Sequence, residues 1–245
     1  FRLGVLGDCH NPYLTMDFAY EADIIRSLGR VIENGPLHKG SKPVHWCTDC
    51  GSALAEAEVE YEDKQSQAID VRFRVVDEAG LLARCHPHEH TGEGPLSVVI
   101  GTTTPWTLPA NLAVCFNPHL DYVAVKVEDD YFIVAARLAD VFLDATGLSG
   151  RDEQRLNVQL KSLDGRDVFR HPFIDRASKL VFENHVTADV GTGCVHTAPG
   201  HGYEDFQVGQ KYGLPVLTPV DAHGRFTAEA GAYDGQKVFA RGMDT

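Results

Sequence analysis

Two histidines and an aspartate lie close together in a glycine-rich stretch at residues 191–206. His196 and His201 are spaced among small residues, and Asp205 follows where a helix over 203–212 is predicted to begin. Glycines let a backbone turn sharply and approach a ligand closely. The free amides and the dipole of a helix start favour a charged carboxylate. This pattern is typical of a pocket floor in which Asp205 binds a cationic group such as an amine.

The same stretch is also compatible with a purely structural role. Glycines precede helices in many folds, and an acid in the first turn often serves only as a favourable helix-start residue. The residues alone therefore leave two alternatives open: a ligand pocket, or a tight turn that leads into a helix.

A second group of polar residues follows an apolar strand predicted at 96–100. Residues 101–111 read Gly-Thr-Thr-Thr-Pro-Trp-Thr-Leu-Pro-Ala-Asn. Three consecutive hydroxyls present short donor and acceptor groups to one volume. They belong to Thr102, Thr103 and Thr104. A structural explanation is also open here, because threonine suits strands and Trp106 suits a core.

The turn with Cys47 and Cys50 has the Cys-x2-Cys-Gly spacing of a zinc knuckle, in which two thiolates reach one metal ion. A closed structural zinc site needs four ligands, and the sequence contains no second Cys-x2-Cys. The pair is therefore half of a metal site or a reduced turn. The histidine-rich loop at 85–90 is a second candidate, although its glycine and proline neighbours are typical of a surface connection.

Composition bounds the class of protein. The chain has 245 residues, 43% hydrophobic and 23% charged, and no apolar run long enough to cross a bilayer, so we expect a soluble protein without a membrane partner. Six cysteines are too sparse for a secreted disulfide scaffold, which predicts a cytoplasmic location. Without an initiator Met or a signal-peptide pattern, the chain is expected to be an excised fragment. The net charge of −13 argues against a broad phosphate-binding surface.

Hydrophobic periodicity predicts a β-rich α+β protein. The clearest helix covers 17–35, with Asp17 as its cap and Gly35 at its end, and a second covers 136–147. Asp221-Ala222-His223-Gly224 predicts a hairpin turn. Strands are predicted at 69–75, 96–100, 112–116, 122–127, 131–135, 156–161, 179–183 and 215–220. So many short strands predict a barrel-like sheet with peripheral helices.

Three motifs together resemble the isoleucyl-tRNA synthetases, which are class I aminoacyl-tRNA synthetases. They are Thr-Thr-Thr-Pro-Trp within 101–111, Gly-Thr-Gly-Cys-Val-His-Thr-Ala-Pro-Gly-His-Gly at 191–202 and Trp-Cys-Thr-Asp-Cys at 46–50. The resemblance runs along nearly the whole chain and implies the editing domain, an insertion in the class I catalytic fold. The valyl and leucyl relatives typically carry Thr-Thr-Arg-Pro at the first motif, which favours the isoleucyl member.

The chain departs from the family pattern in two respects. Gly101 stands where many members carry Trp, so the wall behind the threonines is expected to be more open. The His-x-Gly-His and Lys-Met-Ser-Lys-Ser signatures of aminoacylation are absent from the sequence, so we do not expect it to activate isoleucine. The resemblance implies that residues 1–65 are a remnant of the nucleotide-binding core and zinc-ribbon arm, and that 66–245 form the editing domain.

The implied reaction is hydrolysis of valine that has been attached in error to tRNA(Ile). A pocket for isoleucine gains only about 1–3 kcal/mol from the extra methylene, a limit for which isoleucyl-tRNA synthetase is the standard example, so a second pocket must remove valine. The expected partners are the 3′ end of tRNA(Ile) carrying valine and, in cis, the rest of the synthetase. Editing is expected to need no cofactor; ATP and Mg²⁺ would serve only the full-length enzyme, where zinc could also bind.

The resemblance also assigns roles to individual residues. Asp205 would bind the α-ammonium of the valyl group, and the three threonines would hold the ester, the ribose hydroxyl and the attacking water. His196 would exclude a longer side chain by its size or act as a general base, because an unperturbed histidine titrates near neutrality. Trp106 and Asn111 would bind the terminal adenosine. Catalysis would use a positioned water, oriented donors and the substrate's own ribose hydroxyl.

Two other hypotheses account for the same residues. One is a non-catalytic module that binds the tRNA 3′ end, in which the open wall at Gly101 or the missing parts of the enzyme prevent turnover. The other is a metal hydrolase with His196, His201 and Asp205 as ligands, for which sensitivity to a chelator would be the evidence.

Overall fold

The computed structural model describes residues 4, 6–8, 10–63, 65–86 and 94–239. The helices in these ranges are α1 (Phe18–Glu33), α2 (Glu78–Leu82), α3 (Ala139–Thr146) and α4 (Tyr203–Tyr212). The strands are β1 (Trp46–Cys47), β2 (Ser52–Ala53), β3 (Ile69–Arg74), β4 (Cys85–His86), β5 (Leu96–Thr102), β6 (Ala113–Phe116), β7 (Tyr122–Val127), β8 (Asp130–Ala135), β9 (Glu153–Val158), β10 (Asp167–Arg170), β11 (Ala177–Phe182) and β12 (Val195–Thr197). Turns of 3₁₀ helix cover Glu56–Glu58, Pro105–Ala110, Ala136–Leu138, Lys161–Leu163 and Ala228–Tyr233.

Contacts divide the chain into two compact units, Phe1–Ser41 and Lys42–Thr245. The first unit contains α1, none of whose residues is buried. The second contains every strand named above. The sequence predicts a different boundary after residue 65, between a remnant of the catalytic core and zinc-ribbon arm and the editing domain. That boundary stays a prediction.

The three long predicted helices are confirmed, and local signals set their ends. In α1 the Asp17 side chain accepts a hydrogen bond from the Ala19 amide at 2.9 Å, and Gly35 follows with a φ of 81°. Gly147 and Gly213 end α3 and α4 in the left-handed conformation, which glycine adopts without steric cost.

The strands of the second unit form two larger sheets. The six-stranded sheet has the order β3-β5-β8-β7-β9-β4, and the four-stranded sheet has the order β10-β11-β6-β12. Neighbouring strands are antiparallel except for the pairs β5–β8 and β6–β11, which are parallel. Strands β1 and β2 form a separate two-stranded hairpin.

Each sheet is covered on both faces, because successive residues of a strand point to opposite sides. In β5, Val98 contributes to the core between the two sheets and Val99 to the core under α3. In β6, Val114 enters the same central core and Cys115 enters a third core with α4. The layers therefore run from α3 through the two sheets to α4. This burial explains why these strands read as continuous apolar runs.

The predicted β-rich α+β class is confirmed. The described strands do not close into a ring, and the isolated bridge between Val75 and Phe169 links the two sheets. The strand predicted at 215–220 is wrong, because Pro215 and Pro219 lack amide hydrogens for pairing; of that segment, Val220 pairs, with Phe226.

The turn predicted at 221–224 is confirmed by a hydrogen bond of 3.1 Å from the Gly224 amide to the Asp221 carbonyl. None of the helices in the described part of the chain combines the length and the apolar character needed to cross a bilayer.

Candidate active site

Several segments far apart in sequence line one cavity of about 630 Å³. Its wall is built from the start of β3, the end of β5, the loop before β12, β12 itself and the first turn of α4. All five residues predicted to be catalytic lie in this wall. They are Thr102, Thr103, Thr104, His196 and Asp205.

The 3₁₀ turn after β5 is fixed through its carbonyl groups. The His171 ring donates from Nε2 to the Leu108 carbonyl at 2.8 Å, and its Nδ1 accepts from the Ile174 amide at 3.1 Å. The Arg176 guanidinium donates to the carbonyls of Pro109 and Asn111 at 3.1 and 2.9 Å. These bonds satisfy carbonyls that a short helix leaves without partners, and they hold the adjoining threonine segment, residues 102–104, in place.

The three threonine hydroxyls occupy different environments. Thr102 is buried, and its Oγ1 accepts a hydrogen bond from the Thr104 amide at 3.1 Å. Its proton remains available to a ligand or to Thr104 Oγ1, which lies 3.4 Å away. Thr103 is exposed at the cavity surface.

Gly101 lies opposite Asp70 on the neighbouring strand β3, and both residues line the cavity. A Cβ atom at 101 would lie 3.2 Å from Asp70 Oδ1. The Asp70 carboxylate therefore forms this part of the wall, where many family members are expected to carry a larger side chain at 101.

Close backbone approach explains two of the glycines near His196. At Gly193 φ is 72°, and a Cβ atom would lie 2.4 Å from Ala135 Cβ. At Gly200 a Cβ atom would lie 2.2 Å from the Leu217 carbonyl oxygen. The loop is further fixed by the Tyr122 hydroxyl, which donates to the Gly193 carbonyl at 2.9 Å.

His196 lies in β12, where its pairing with Val114 of β6 sets its position. Its side chain is buried, and Nε2 lies 3.0 Å from the Thr107 hydroxyl. Burial, together with the smaller effects of the neighbouring His201 and His171, lowers the pKa of His196 to about 4. The ring is therefore neutral at pH 7 and weakly basic.

Asp205 occupies the first turn of α4, after Gly202 in an extended conformation. Its Oδ2 accepts a hydrogen bond from the Ala198 amide at 2.9 Å. The position in the helix predicts a stabilised carboxylate, but burial raises the pKa of Asp205, and the Ala198 amide only partly opposes it. An ionised Asp205 therefore gains more from a cationic partner than an exposed aspartate would.

The family is decided by a comparison with known sequences. Residues 1–168 match the family described as tRNA synthetases class I (I, L, M and V). The chain belongs to this family.

Individual relatives of this class I synthetase chain are similar along nearly all of its length. The isoleucine–tRNA ligase of Methylococcus capsulatus is 56% identical over 245 residues, covering 98% of this chain and 26% of the relative. The ligase of Thioalkalivibrio sulfidiphilus is 55% identical over 239 residues, covering 97% and 25%. The chain therefore spans about a quarter of the length of these relatives.

Solved structures show a more distant likeness. A crystal structure of GlLeuRS-CP1 is 16% identical, with a TM-score of 0.47, and the match covers 63% of this chain and 70% of that one. The editing domain of the P. falciparum cytosolic leucyl-tRNA synthetase is 10% identical, with a TM-score of 0.44. The match covers 58% of this chain and 64% of that one.

Two residues predicted to bind the substrate of this synthetase chain lie outside the wall of the cavity. Trp106 lines two other cavities, of about 670 and 520 Å³, and its ring centre lies 5.0 Å from that of Phe239. Asn111 is fully buried, and its amide donates to the Ala113 carbonyl and accepts from the Ser178 hydroxyl, both at 2.8 Å. Their contacts with a terminal adenosine stay predictions.

Cys47 and Cys50 lie at the turn of the β1–β2 hairpin. The Cys50 amide donates to Cys47 Sγ at 3.2 Å. This bond and the Cys50 thiol lower the pKa of Cys47, whereas the Cys47 thiol raises the pKa of Cys50. Lowered thiol pKa favours the thiolate that binds metals. The two thiols fit half of a zinc site in a class I synthetase.

No group of three or more metal-binding side chains occurs among the residues that the structure describes. The zinc half site at Cys47 and Cys50 is therefore not completed within these ranges, and the arrangement of His196, His201 and Asp205 gives no support to a metal hydrolase. The histidine-rich segment is only partly covered, because residues 87–90 lie outside the described residues.

Thr107, which was not predicted as a site residue, is buried in the cavity wall of this synthetase chain beside His196. A local signal was present. Pro105 begins a short helix, and a residue three positions after Thr104 returns to the same side of a 3₁₀ turn. The partner of Thr107 could not be inferred, because it lies 89 residues further along the chain.

Proposed function

We propose that this chain is the editing part of an isoleucyl-tRNA synthetase and hydrolyses the ester that links valine to tRNA(Ile). The observation that carries the proposal is the common cavity of the threonine segment, His196 and Asp205. The isoleucine–tRNA ligases at 56% and 55% identity support the isoleucyl specificity. Aminoacylation, with its ATP and Mg²⁺, would belong to the remaining part of a full-length synthetase, which would act in cis in the cytoplasm.

Asp205 is the proposed anchor for the α-ammonium group of the valyl ester. One of its oxygens accepts the Ala198 amide, and a carboxylate retains further acceptor positions for a ligand. Because burial disfavours its charge, an ammonium group would supply both the compensating charge and hydrogen bonds. Every aminoacyl ester carries this group, so Asp205 would orient the substrate without selecting its side chain.

His196 is the proposed size filter. Both the backbone and the side chain of His196 are fixed. Strand pairing with β6 fixes the backbone, and the contact with Thr107 fixes the buried ring. A rigid wall of this kind would admit valine and exclude the additional methylene of isoleucine. The pKa of about 4 makes the alternative role as general base unfavourable at pH 7.

The threonine hydroxyls are the proposed donors for the hydrolytic step. Water would attack the ester carbonyl carbon, the bond to the ribose oxygen would break, and that oxygen would take a proton as free valine leaves. The hydroxyl protons of Thr102 and Thr104 would stabilise the negative charge that develops on the carbonyl oxygen. Thr103, at the cavity surface, would contact the ribose or the attacking water.

A single-turnover deacylation assay tests the proposal with Val-tRNA(Ile) and Ile-tRNA(Ile) as substrates. We expect the wild-type chain to release valine and retain isoleucine. Asp205→Asn should slow valine release about tenfold to a hundredfold, the range for loss of a charged hydrogen bond. Glu204→Gln is the matched control, because Glu204 is the exposed neighbouring acid on α4 and does not line the cavity.

Each remaining outcome contradicts a specific part of the proposal. Binding of charged tRNA without hydrolysis would support the non-catalytic 3′-end module. Equal rates for wild type and Asp205→Asn would remove the ammonium anchor. Loss of activity with a chelator would restore the metal hydrolase as an explanation.

A further inference from the structure

Three groups form a continuous chain of contacts in the cavity wall. The Thr107 hydroxyl lies 3.0 Å from His196 Nε2 and 2.8 Å from the Thr104 carbonyl oxygen. Thr107 and His196 are both buried, with exposed fractions of 8% and 7%. Neither contact is exchanged readily with solvent, so the direction of each hydrogen bond is determined by the protein.

The Thr104 carbonyl decides this direction. A carbonyl oxygen only accepts, and a hydroxyl has a single proton to give. At 2.8 Å the Thr107 hydroxyl donates that proton to the carbonyl. The second contact must then run the other way, from an Nε2–H of His196 to the Thr107 oxygen. The opposite arrangement would bring two oxygens to 2.8 Å without a proton between them.

The Nε2–H tautomer leaves Nδ1 of His196 as a bare acceptor. This atom is buried and has no hydrogen-bond partner among the described residues. The opposite tautomer would instead bury an N–H donor without an acceptor, which occurs still more rarely in proteins. Buried polar atoms without partners are costly unless a ligand or water satisfies them. Here the side chain with the unpaired nitrogen belongs to the cavity wall.

We propose that Thr107 is a positioning residue that holds His196 as the Nε2–H tautomer in one ring orientation, so that Nδ1 accepts a hydrogen bond from an N–H of the α-ammonium group of the bound aminoacyl ester. The tautomer depends only on contacts within this chain, whereas the contact with the substrate rests on the proposed editing function. His196 would thus contact the substrate as an acceptor, and its only N–H would be committed to Thr107.

Nitrogen NMR of the histidine rings tests the tautomer directly, without any substrate. Long-range ¹H–¹⁵N spectra at pH 7 should give His196 a protonated-type signal at Nε2 and an unprotonated-type signal at Nδ1. The His196 signals are assigned by their absence in His196→Gln. Thr107→Ser keeps the hydroxyl and should preserve this pattern, whereas Thr107→Val should produce a mixture of tautomers. A protonated Nδ1 in the wild type, or an unchanged pattern in Thr107→Val, overturns the inference.

Single-turnover deacylation of Val-tRNA(Ile) tests the consequence for the substrate. Thr107→Val should lower the rate about tenfold, the scale of one net hydrogen bond, and Thr107→Ser should restore most of it. Thr146→Val is the matched control, because Thr146 ends α3 outside the cavity and bonds only within its helix. Unfolding midpoints of all variants separate a positioning effect from a loss of folding.

A non-hydrolysable analogue of valyl-adenosine, with a methylene group in place of the ester oxygen so that no new N–H donor is added, completes the test. Its binding should shift the Nδ1 signal of His196 and leave the Nε2 signal protonated. An unmoved Nδ1 signal at saturating analogue contradicts the contact with the ester. If the wild-type chain hydrolyses no ester, the proposed function fails, but the spectra without substrate still decide the role of Thr107.

Discussion

His196 and Asp205 are ionisable groups from which burial has removed most of the surrounding water. Burial disfavours the charged form of each, so the pKa of His196 falls to about 4 and the pKa of Asp205 rises. The consequences for catalysis differ. A neutral histidine can form part of the cavity wall and accept a hydrogen bond, whereas a carboxylate whose charge is disfavoured by burial can bind an ammonium group.

The lowered pKa of His196 predicts that the protein loses stability in mild acid. The unfolded state binds this proton near pH 6.5 and the folded state only near pH 4, so the free energy of unfolding falls as pH drops between these values. At pH 4.5 the loss from His196 should be about 2–3 kcal/mol. The raised pKa of Asp205 acts in the opposite sense at acid pH, because its folded form takes up the proton first.

Urea unfolding at pH 7.5 and pH 4.5 measures this effect. The difference in the free energy of unfolding between pH 7.5 and pH 4.5 should be smaller by about 2–3 kcal/mol in His196→Gln. It should not shrink in His119→Gln, which changes an exposed histidine. An unaltered pH dependence in His196→Gln would show that another group, such as His201 or His171, governs the acid transition.

The candidate site shows which residue-level features can be inferred without a structure. The threonines, His196 and Asp205 could be named because their types and local motifs carry chemistry. The contact of Thr107 with His196 and the burial of Asp205 could not, since both depend on how β12 and α4 pack against distant segments. Asn111 is the converse case: its amide suits ligand binding, but folding uses it to bond Ala113 and Ser178.

At the level of elements, the loop before β12 depends on glycine at one position more than at another. Gly191 and Gly193 both have positive φ values, of 75° and 72°. A Cβ atom added at residue 191 would have no heavy atom within 4 Å, whereas one added at residue 193 would lie 2.4 Å from Ala135 Cβ. Both residues line the cavity, so the pair isolates the effect of the clash.

We predict that Gly191→Ala costs about 1–2 kcal/mol of unfolding free energy, the usual penalty of a left-handed alanine. Gly193→Ala should cost about a further 1–3 kcal/mol, because β8 or the loop must move to remove the overlap. Chemical denaturation of the two variants measures the difference. Equal costs would show that the loop relaxes freely and that Gly193 has no packing role.

Elements with local signals were predictable, and those that depend on distant partners were not. Helix α1 carries its own cap at Asp17, glycines follow the ends of α1 and α4, and the β7–β8 hairpin connects neighbouring residues. Strand β10 is four residues long and β12 only three, and each is defined by pairing with another strand. A periodic pattern cannot be recognised over so few positions.

At the scale of the whole molecule, the cores and the candidate site lie within residues 42–245. The large aliphatic and phenylalanine side chains of α1 remain exposed, from Val31 at 47% to Phe18 at 89%. We therefore predict that deleting residues 1–41 changes the free energy of unfolding of the larger unit by less than about 0.5 kcal/mol. Deacylation of Val-tRNA(Ile) should persist.

Urea denaturation and single-turnover deacylation of the 42–245 variant, beside the full chain, measure both quantities. A loss of several kcal/mol would assign α1 a stabilising role. Retained stability with lost activity would assign residues 1–41 a role in substrate binding.

One of the two interior strands of the four-stranded sheet, β6, sets an order of events during synthesis. β6 leaves the ribosome first, but its partners β11 and β12 follow only at residues 177–182 and 195–197. His196 is synthesised 89 residues after its partner Thr107. Synthesis of those residues takes roughly 4–18 s at the usual rate of translation. During that interval the threonine segment exists without its opposite wall. A nascent chain therefore lacks a complete wall for the candidate site until the segment that contains His196 and Asp205 has been synthesised.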